Sequence, residues 1–292
     1  MKRLCVTGSL HLDVVVAAPH LPCSDETVTG SKVDYVFGGK GGNQALAADK
    51  HGAPVYFIGR VGRDGFGETL ARRLDNGSID TGQLQYDDGA SGMSVAIVED
   101  GGEYGAVIVS AANLHIKDKH LMIHQDTGLL LLQNEVPEAV NLSASRKAKA
   151  QGSKVWLNAA PARALSLEFL AHIDVLILNR VEAAFYSNLL TQPAAQHLTT
   201  ILTFGSGGVE ICFPDGQRHA YPAFAIDISS THGAGDMFVG SLAARRLAGD
   251  PFNVALRYAQ AAAALHVAAN LNQREALTRA DVMQFLQAQT SP

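Results

Sequence analysis

Residues 128–132, Gly-Leu-Leu-Leu-Leu, form an uninterrupted apolar run of strand length. Such a run is typical of a strand that is buried on both faces of a sheet, because a strand with one solvated face alternates apolar and polar residues. Comparable runs occur at residues 55–58, 155–158, 175–178 and 201–204, and helix-like segments separate them. This alternation predicts an α/β fold with a mostly parallel, doubly wound sheet and helices on both faces.

Two regions interrupt the alternation. Residues 13–37 contain no clear helical pattern, and residues 94–110 show two valine-rich runs around a loop with glycines, which is typical of a hairpin. We expect both regions to contribute to a small antiparallel sheet that projects from the α/β body, with edge strands of the main sheet as the alternative. No Pro- or Ser-rich linker divides the chain, so the sequence predicts one domain over residues 1–292.

Charge and cysteine content argue against several classes of protein. The formal net charge of −5 argues against a general binder of nucleic acids or membrane surfaces. The three cysteines are widely spaced, which fits neither a disulfide framework nor a Cys-x-x-Cys metal site and favours a reducing cytoplasm. Asp13 interrupts the first apolar stretch before it reaches the length of a signal peptide. We therefore expect a soluble, cytoplasmic protein.

The strongest motif is Ser-Thr-His-Gly-Ala-Gly-Asp at residues 230–236, directly before a helix-like stretch. Small residues leave the first N–H groups of a helix uncovered, and the helix dipole adds positive potential, so an anion can bind there. Asp236 could act as a general base toward a hydroxyl. The N–H groups of Gly233, Ala234 and Gly235 could then stabilise a transferring phosphoryl group. An ordinary helix start with an acid in its first turn fits these residues equally well.

A second motif, Phe-Gly-Gly-Lys-Gly-Gly-Asn-Gln-Ala, spans residues 37–45. Its dense glycines allow close approach of the backbone to a ligand, Lys40 adds positive charge, and Asn43 can donate to and accept from hydroxyls. The spacing of a Walker A loop is absent, and no Gly-x-Gly-x-x-Gly follows the first strand, which disfavours a dinucleotide site. A flexible turn into a helix is the alternative, but it does not explain the density of glycines.

A third motif follows the strand-like run at residues 175–178. Asn179 and Glu182 stand at its carboxyl end, where open parallel sheets bind ligands, and they could hold Mg²⁺ through water. The same Asn-x-x-Glu spacing also fits a capping box at a helix start. Residues 203–208, Thr-Phe-Gly-Ser-Gly-Gly, form another loop of small residues at the same predicted edge.

Taken in order, these motifs resemble the ribokinase (PfkB-type) family of carbohydrate kinases over residues 8 to about 282. Residues 59–67 resemble the first signature of that family, and residues 231–236 lie in its second. Residues 38–43 and the stretch Asn-Ala-Ala-Pro-Ala at 158–162 are most similar to the ribokinase branch.

The resemblance implies a ribokinase-like fold in which residues of about 13–37 and 94–110 form a discontinuous β lid that pairs into a homodimer. It implies ATP-dependent phosphorylation of a sugar, most simply D-ribose to D-ribose 5-phosphate, with ATP and Mg²⁺ as cofactors and Asp236 as catalytic base. The implied sugar contacts are His11, Asp13, Gly39, Lys40, Asn43 and Glu135. The implied nucleotide contacts are Asn179, Thr203, Gly205, Gly208 and Gln260, with Glu182 organising Mg²⁺ through water.

Three departures from the family pattern stand out. Ribokinases usually have Asn where His11 stands, which changes one sugar contact. They have Asp where Ser230 stands, and that Asp helps to bind an activating monovalent cation. Residues 268–272 also lack the glycine-containing loop expected near the adenine. These departures leave activation by K⁺ open, and they leave open a kinase for another sugar or a nucleoside, or a sugar-binding sensor without turnover.

Overall fold

The computed structural model describes residues 2–99, 101 and 103–290. The strands are β1 (Arg3–Thr7), β2 (His11–Ala18), β3 (Lys32–Gly38), β4 (Val55–Gly62), β5 (Asp80–Asp87), β6 (Met93–Glu99), β7 (Tyr104–Val109), β8 (Thr127–Gln133), β9 (Lys154–Asn158), β10 (Val175–Asn179), β11 (Thr199–Thr203), β12 (Val209–Cys212) and β13 (Arg218–Tyr221). The helices are α1 (Lys40–Lys50), α2 (Gly65–Asp75), α3 (Glu138–Ala150), α4 (Leu167–Leu170), α5 (Arg180–Phe185), α6 (Ser187–Leu190), α7 (Ala234–Leu247), α8 (Phe252–Ala268), α9 (Leu271–Ala276) and α10 (Arg279–Thr290). Within these ranges, no helix has the length and apolar character needed to cross a membrane.

The large sheet has nine strands in the order β13-β12-β11-β10-β9-β8-β1-β4-β5. All neighbours from β11 to β5 are parallel, and only β12 and β13 are antiparallel to the strands beside them. The mostly parallel α/β sheet predicted from the sequence is confirmed. Because the parallel strands share one direction, the loops after β1, β8, β10 and β11 all leave the same edge of the sheet, where ligands bind in folds of this class.

The leucine run in β8 lies between two hydrophobic cores, one on each face of the large sheet. Leu129 and Leu131 pack into the core formed with α1, α2, α7 and α8, whereas Leu130 and Leu132 pack into the core formed with α3 and α4. Successive side chains of a strand point to opposite faces, so four consecutive leucines supply both cores. These four residues are at most 4% exposed.

The second sheet has four strands in the order β3-β2-β6-β7. The pairs β2–β3 and β6–β7 are antiparallel, as expected for hairpins, but the central pair β2–β6 is parallel. This pairing follows from the connections: β2 comes after β1 and β6 after β5, and β1 and β5 are parallel strands, so both hairpins leave the same edge of the large sheet. The two regions that interrupt the predicted alternation thus join in one small sheet.

Candidate active site

Asp236 lies in the first turn of α7, and only 9% of the residue is exposed. Gly233 precedes the helix with a φ of 74°, a left-handed conformation that glycine adopts without strain. Oδ1 of Asp236 accepts a hydrogen bond of 2.8 Å from Gln44 Nε2, and Oδ2 lies 3.5 Å from Asn43 Nδ2. Burial raises the pKa of Asp236, whereas the bond from Gln44 acts in the opposite direction. Asp236 is therefore a buried, hydrogen-bonded carboxylate at the start of α7.

Gln44 is a site residue that the sequence reasoning missed. Its side chain is fully buried, its Nε2 donates to Asp236, and its Oε1 accepts a hydrogen bond of 2.8 Å from Gln133 Nε2. The bond from Gln133 therefore fixes which end of the Gln44 amide faces the carboxylate. One signal was available in the sequence, because Gln44 follows Lys40 by one helical turn and so shares its face of α1.

Glycines at the start of α1 allow the helix to begin against the connection between β1 and β2. Gly39 has a φ of 88°, and a Cβ atom on it would lie 2.8 Å from the backbone nitrogen of His11. A Cβ atom on Gly41 would lie 2.6 Å from the backbone nitrogen of Ser9. Both distances are too short for any side chain, so the density of glycines in this motif has a steric cause.

Glu135 follows β8 and contacts the start of α1. Its Oε2 accepts a hydrogen bond of 2.8 Å from the backbone N–H of Lys40 and a further short hydrogen bond from Ser9 Oγ. A carboxylate at a helix N-terminus is stabilised by the unpaired N–H groups there. The bond places Glu135, a predicted sugar contact, beside Lys40, another one.

Lys40 is the cation that three predicted site residues share. Its charge favours the ionised forms of Asp236 and Glu182, although burial raises the pKa of both carboxyl groups. It also helps to lower the pKa of His11, for which burial is the main cause. The start of α1 therefore contacts the start of α7 through Gln44 and Asp236, and the charge of Lys40 acts on Glu182 at the start of α5.

His11 and Asp13 lie on β2, at the base of the small sheet. His11 is 4% exposed, and its Nε2 has no hydrogen-bond partner among the described residues. Asp13 Oδ1 accepts a hydrogen bond of 2.5 Å from Ser94 Oγ of β6. Gly38 leaves room for this carboxylate, since a Cβ atom there would lie 2.2 Å from Asp13 Oδ2. The small sheet therefore carries two polar groups toward the loop that precedes α1.

Asn179 and Glu182 form a complete capping box at the start of α5. Asn179 Oδ1 accepts from the backbone N–H groups of Val181 and Glu182, and Glu182 Oε2 accepts from the Asn179 N–H at 2.6 Å. Glu182 Oε1 accepts from Asn179 Nδ2 at 2.8 Å. The capping alternative is thus realised. Each Glu182 oxygen still has a lone pair for a water molecule, so the pair also fits a hydrated Mg²⁺.

The remaining predicted nucleotide contacts lie at the next strand end. Thr203 ends β11 and is the register partner of Asn179, so the two motifs are adjacent. Gly205 and Gly208 follow with φ values of 60° and 93°. Gln260 lies apart on α8, where its Nε2 donates to the carbonyls of Tyr221 and Pro222 and its Oε1 accepts from Arg257. Its amide is therefore engaged by protein groups.

One of the three N–H groups predicted to bind an anion, that of Ala234, already donates to a protein carbonyl. The Ala234 N–H donates to the carbonyl of Thr231 at 3.2 Å, so it already has a protein partner. The cleft beside this turn has a volume of about 210 Å³ and is lined by Asn43, His232, Gly233 and Asp236 among others. Its walls come from β3, α1, the start of α7 and α9, with further residues from α2 and α8.

Comparison with known proteins identifies the family to which the chain belongs. Residues 1–276 match the pfkB family carbohydrate kinase profile. The chain is 32% identical to the ribokinase of Haemophilus influenzae, with 98% of this chain and 99% of the relative covered, and 31% identical to that of Bacillus subtilis, with 98% and 100% covered. A structure of Arabidopsis thaliana ribokinase complexed with ribose and ATP superimposes with a TM-score of 0.90 at 26% identity, covering 98% and 99% of the two chains. The chain therefore belongs to the pfkB family of carbohydrate kinases.

Proposed function

We propose that this protein is an ATP-dependent ribokinase, which transfers the γ-phosphoryl group of ATP to the primary hydroxyl of D-ribose and releases ADP and D-ribose 5-phosphate. The observation that carries the proposal is the buried carboxylate of Asp236, held on one oxygen by Gln44 at the start of α7. Ribokinases similar over nearly the whole chain, one of them solved with ribose and ATP, support this substrate pair.

Asp236 acts as the general base. Its Oδ1 accepts the 2.8 Å hydrogen bond from Gln44, whereas Oδ2 has only the long 3.5 Å contact with Asn43, so Oδ2 receives the proton of the sugar hydroxyl. The hydroxyl oxygen forms a bond to the γ-phosphorus while the bond from that phosphorus to the β-phosphate oxygen breaks, and ADP leaves. Because burial raises the pKa of this carboxyl group, it binds the proton more strongly than an exposed aspartate would.

The turn before α7 stabilises the charge of the transferring group. The N–H groups of Gly233 and Gly235, together with the positive end of the helix dipole, face an anion at this position. Ala234 contributes once its N–H exchanges the carbonyl of Thr231 for phosphate oxygen.

The sugar binds between β2 and the start of α1. Asp13 and Glu135 accept hydrogen bonds from sugar hydroxyls, and Lys40, Asn43 and the backbone at Gly39 complete the site. His11 replaces the amide expected there, and its buried Nε2, which has no partner among the described residues, would form a hydrogen bond with a sugar hydroxyl. Because burial lowers the pKa of His11, the ring is neutral at pH 7 and offers one donor and one acceptor.

The nucleotide binds beyond the carboxyl ends of β10 and β11. Asn179, Thr203, Gly205 and Gly208 line that edge, and Gln260 supports it by holding the carbonyls that end β13. Glu182 would hold a hydrated Mg²⁺ through water, because each of its carboxylate oxygens accepts one protein hydrogen bond and keeps a lone pair. When bound, Mg²⁺ neutralises phosphate charge.

The small sheet closes over the sugar as a lid and pairs two copies of the chain. One of its faces carries a row of register partners across all four strands: Tyr35, Val14, Val95 and Val107. Tyr35 is 62% exposed and Val107 67%. Contiguous exposed apolar residues of this kind mark protein interaction sites, and we name the row the outer lid face.

A substrate panel tests the proposal. The purified protein is incubated with ATP, Mg²⁺ and either ribose, deoxyribose, fructose or a nucleoside, and the products are identified by phosphorus NMR. Preferred formation of ribose 5-phosphate is the expected result. Turnover of another member would keep the mechanism and change the substrate. Binding of ribose without turnover of any member would contradict the kinase and favour a sensor.

A further inference from the structure

The side chain of Arg274 is buried among backbone carbonyl oxygens. Its Nη2 donates to the carbonyl of Ser230 at 2.6 Å and its Nη1 to that of His232 at 3.1 Å. Its Nε donates to the carbonyls of His266 and Ala269 at 2.8 and 3.1 Å. Arg274 is only 7% exposed, and no carboxylate takes part in these contacts.

These four carbonyls come from two segments of the chain. Ser230 and His232 belong to the approach to α7, whereas His266 and Ala269 belong to the end of α8, where unpaired carbonyls form the negative end of the helix dipole. The N–H groups of Ser229 and Ser230 hold the segments together by donating to the carbonyl of Val267. Converging carbonyl oxygens are the ligands with which proteins bind K⁺. Here a guanidinium group occupies their centre.

Helix α9 brings Arg274 into this position. Asn270 and Gln273 form a capping box at its start, in which each side-chain oxygen accepts from the other residue's backbone N–H at 3.0 Å. This capped helix stands where the family pattern has a glycine-containing loop. The other departure, Ser230 in place of Asp, removes the carboxylate expected to help bind a monovalent cation. Both departures therefore have one explanation, because a guanidinium among these carbonyls leaves no room for a metal ion.

Arg274 also contacts the turn that precedes α7. His232, whose carbonyl binds Arg274, directly precedes Gly233, the left-handed residue at which α7 begins. Arg274 therefore fixes the backbone just before the anion-binding N–H groups and the first turn that carries Asp236.

We propose that Arg274 is a built-in cation: its guanidinium replaces the bound monovalent cation of this family and makes phosphoryl transfer independent of potassium. Arg274 is thus a positioning residue, which acts through the turn at Gly233. The proposal rests on the kinase activity proposed above.

The experiment compares the wild-type protein with Arg274→Met, which keeps the apolar stem but removes the charge, and with Arg274→Lys, which keeps a charge. Initial phosphorylation rates and melting temperatures are measured in choline chloride and in KCl at equal ionic strength. The wild-type rate and melting temperature should be the same in both salts. Arg274→Met should lose about 100-fold in rate in choline, the scale of a misplaced catalytic turn, and regain at least about tenfold in KCl. Its melting temperature should also rise in KCl. The rate and melting temperature of Arg274→Lys should be the same in both salts.

Arg73→Ala is the matched control, because it removes an arginine that pairs with Glu275 of the same short helix at 3.0 Å but contacts none of the carbonyls. It should respond to the two salts as the wild type does. A wild-type rate that needs potassium would overturn the proposal, as would an Arg274→Met protein that is fully active in choline or unresponsive to potassium in both rate and melting temperature. A wild type without phosphotransfer would instead overturn the kinase, and the melting temperatures would still decide the role of Arg274.

Discussion

Gln44 Nε2 donates a hydrogen bond of 2.8 Å to Oδ1 of Asp236, and this bond joins two residues that are 192 positions apart in the chain. Gln133 fixes the orientation of the Gln44 amide from the other side. We call these two hydrogen bonds, from Gln133 to Gln44 and from Gln44 to Asp236, the glutamine relay. The relay leaves Oδ2 of Asp236 as the oxygen that receives a proton.

Gln44→Leu tests whether the glutamine relay sets the pKa of Asp236. The substitution removes a hydrogen bond that lowers the pKa of Asp236, so the pKa should rise further and the acidic limb of the pH–rate profile should move to higher pH. The free energy of unfolding should fall by about 1–3 kcal/mol because buried groups lose their partners. Asn134→Leu is the control, since it also removes a buried amide, but one whose hydrogen bonds go to Pro161 and Tyr186 and not to Gln44 or Asp236. An acidic limb that moves equally in both variants would contradict a specific role for Gln44.

Asp236→Asn should stabilise the protein at neutral pH. Burial raises the pKa of Asp236 above its unfolded value, so the folded state binds its proton more tightly, and this group costs stability once the pH exceeds the unfolded pKa of about 3.9. The neutral amide avoids this cost. The melting temperature of Asp236→Asn should exceed that of the wild type at pH 7, and the difference should disappear as the pH falls toward 4. A variant that is less stable than the wild type at pH 7 would contradict the raised pKa.

Val107→Asp should separate the proposed dimer. Val107 belongs to the outer lid face and is 67% exposed, so a charge there would be buried without a partner if two lids pack together. Ile108→Asp is the matched control, because Ile108 is the next residue on β7, is 63% exposed and points to the opposite face of the strand. Sedimentation analysis should show dissociation for the first variant only. A wild type that sediments as a monomer would contradict pairing through the lid.

The parts of the fold that the sequence predicted are those with a local signal. The leucine run of β8 and the alternation of strands with helices predict the parallel sheet, because a strand that is buried on both faces requires consecutive apolar residues. The capping box of Asn179 and Glu182 is equally local. The parallel pairing of β2 with β6 has no such signal, since it depends on where two distant hairpins leave the large sheet.

The site was predicted less completely for the same reason. Asp236 and Lys40 belong to recognisable motifs, whereas Gln44 gains its role only from partners 89 and 192 residues away. Arg274 contacts carbonyls 42 and 44 residues before it, and the sequence showed only that residues 268–272, just before it, depart from the expected pattern. Backbone carbonyls are present at every position, so no residue type reveals that four of them converge.

The measurement that tests the central claim most directly compares turnover and ribose binding in the wild type and Asp236→Asn. Asparagine keeps the oxygen that accepts from Gln44 but cannot take the hydroxyl proton. Phosphorylation of ribose with ATP and Mg²⁺ should fall by about 10²–10⁴-fold, while the dissociation constant of ribose, measured by calorimetry, should stay nearly the same. A variant that keeps its turnover, or that loses binding and turnover in equal measure, would contradict Asp236 as the catalytic base.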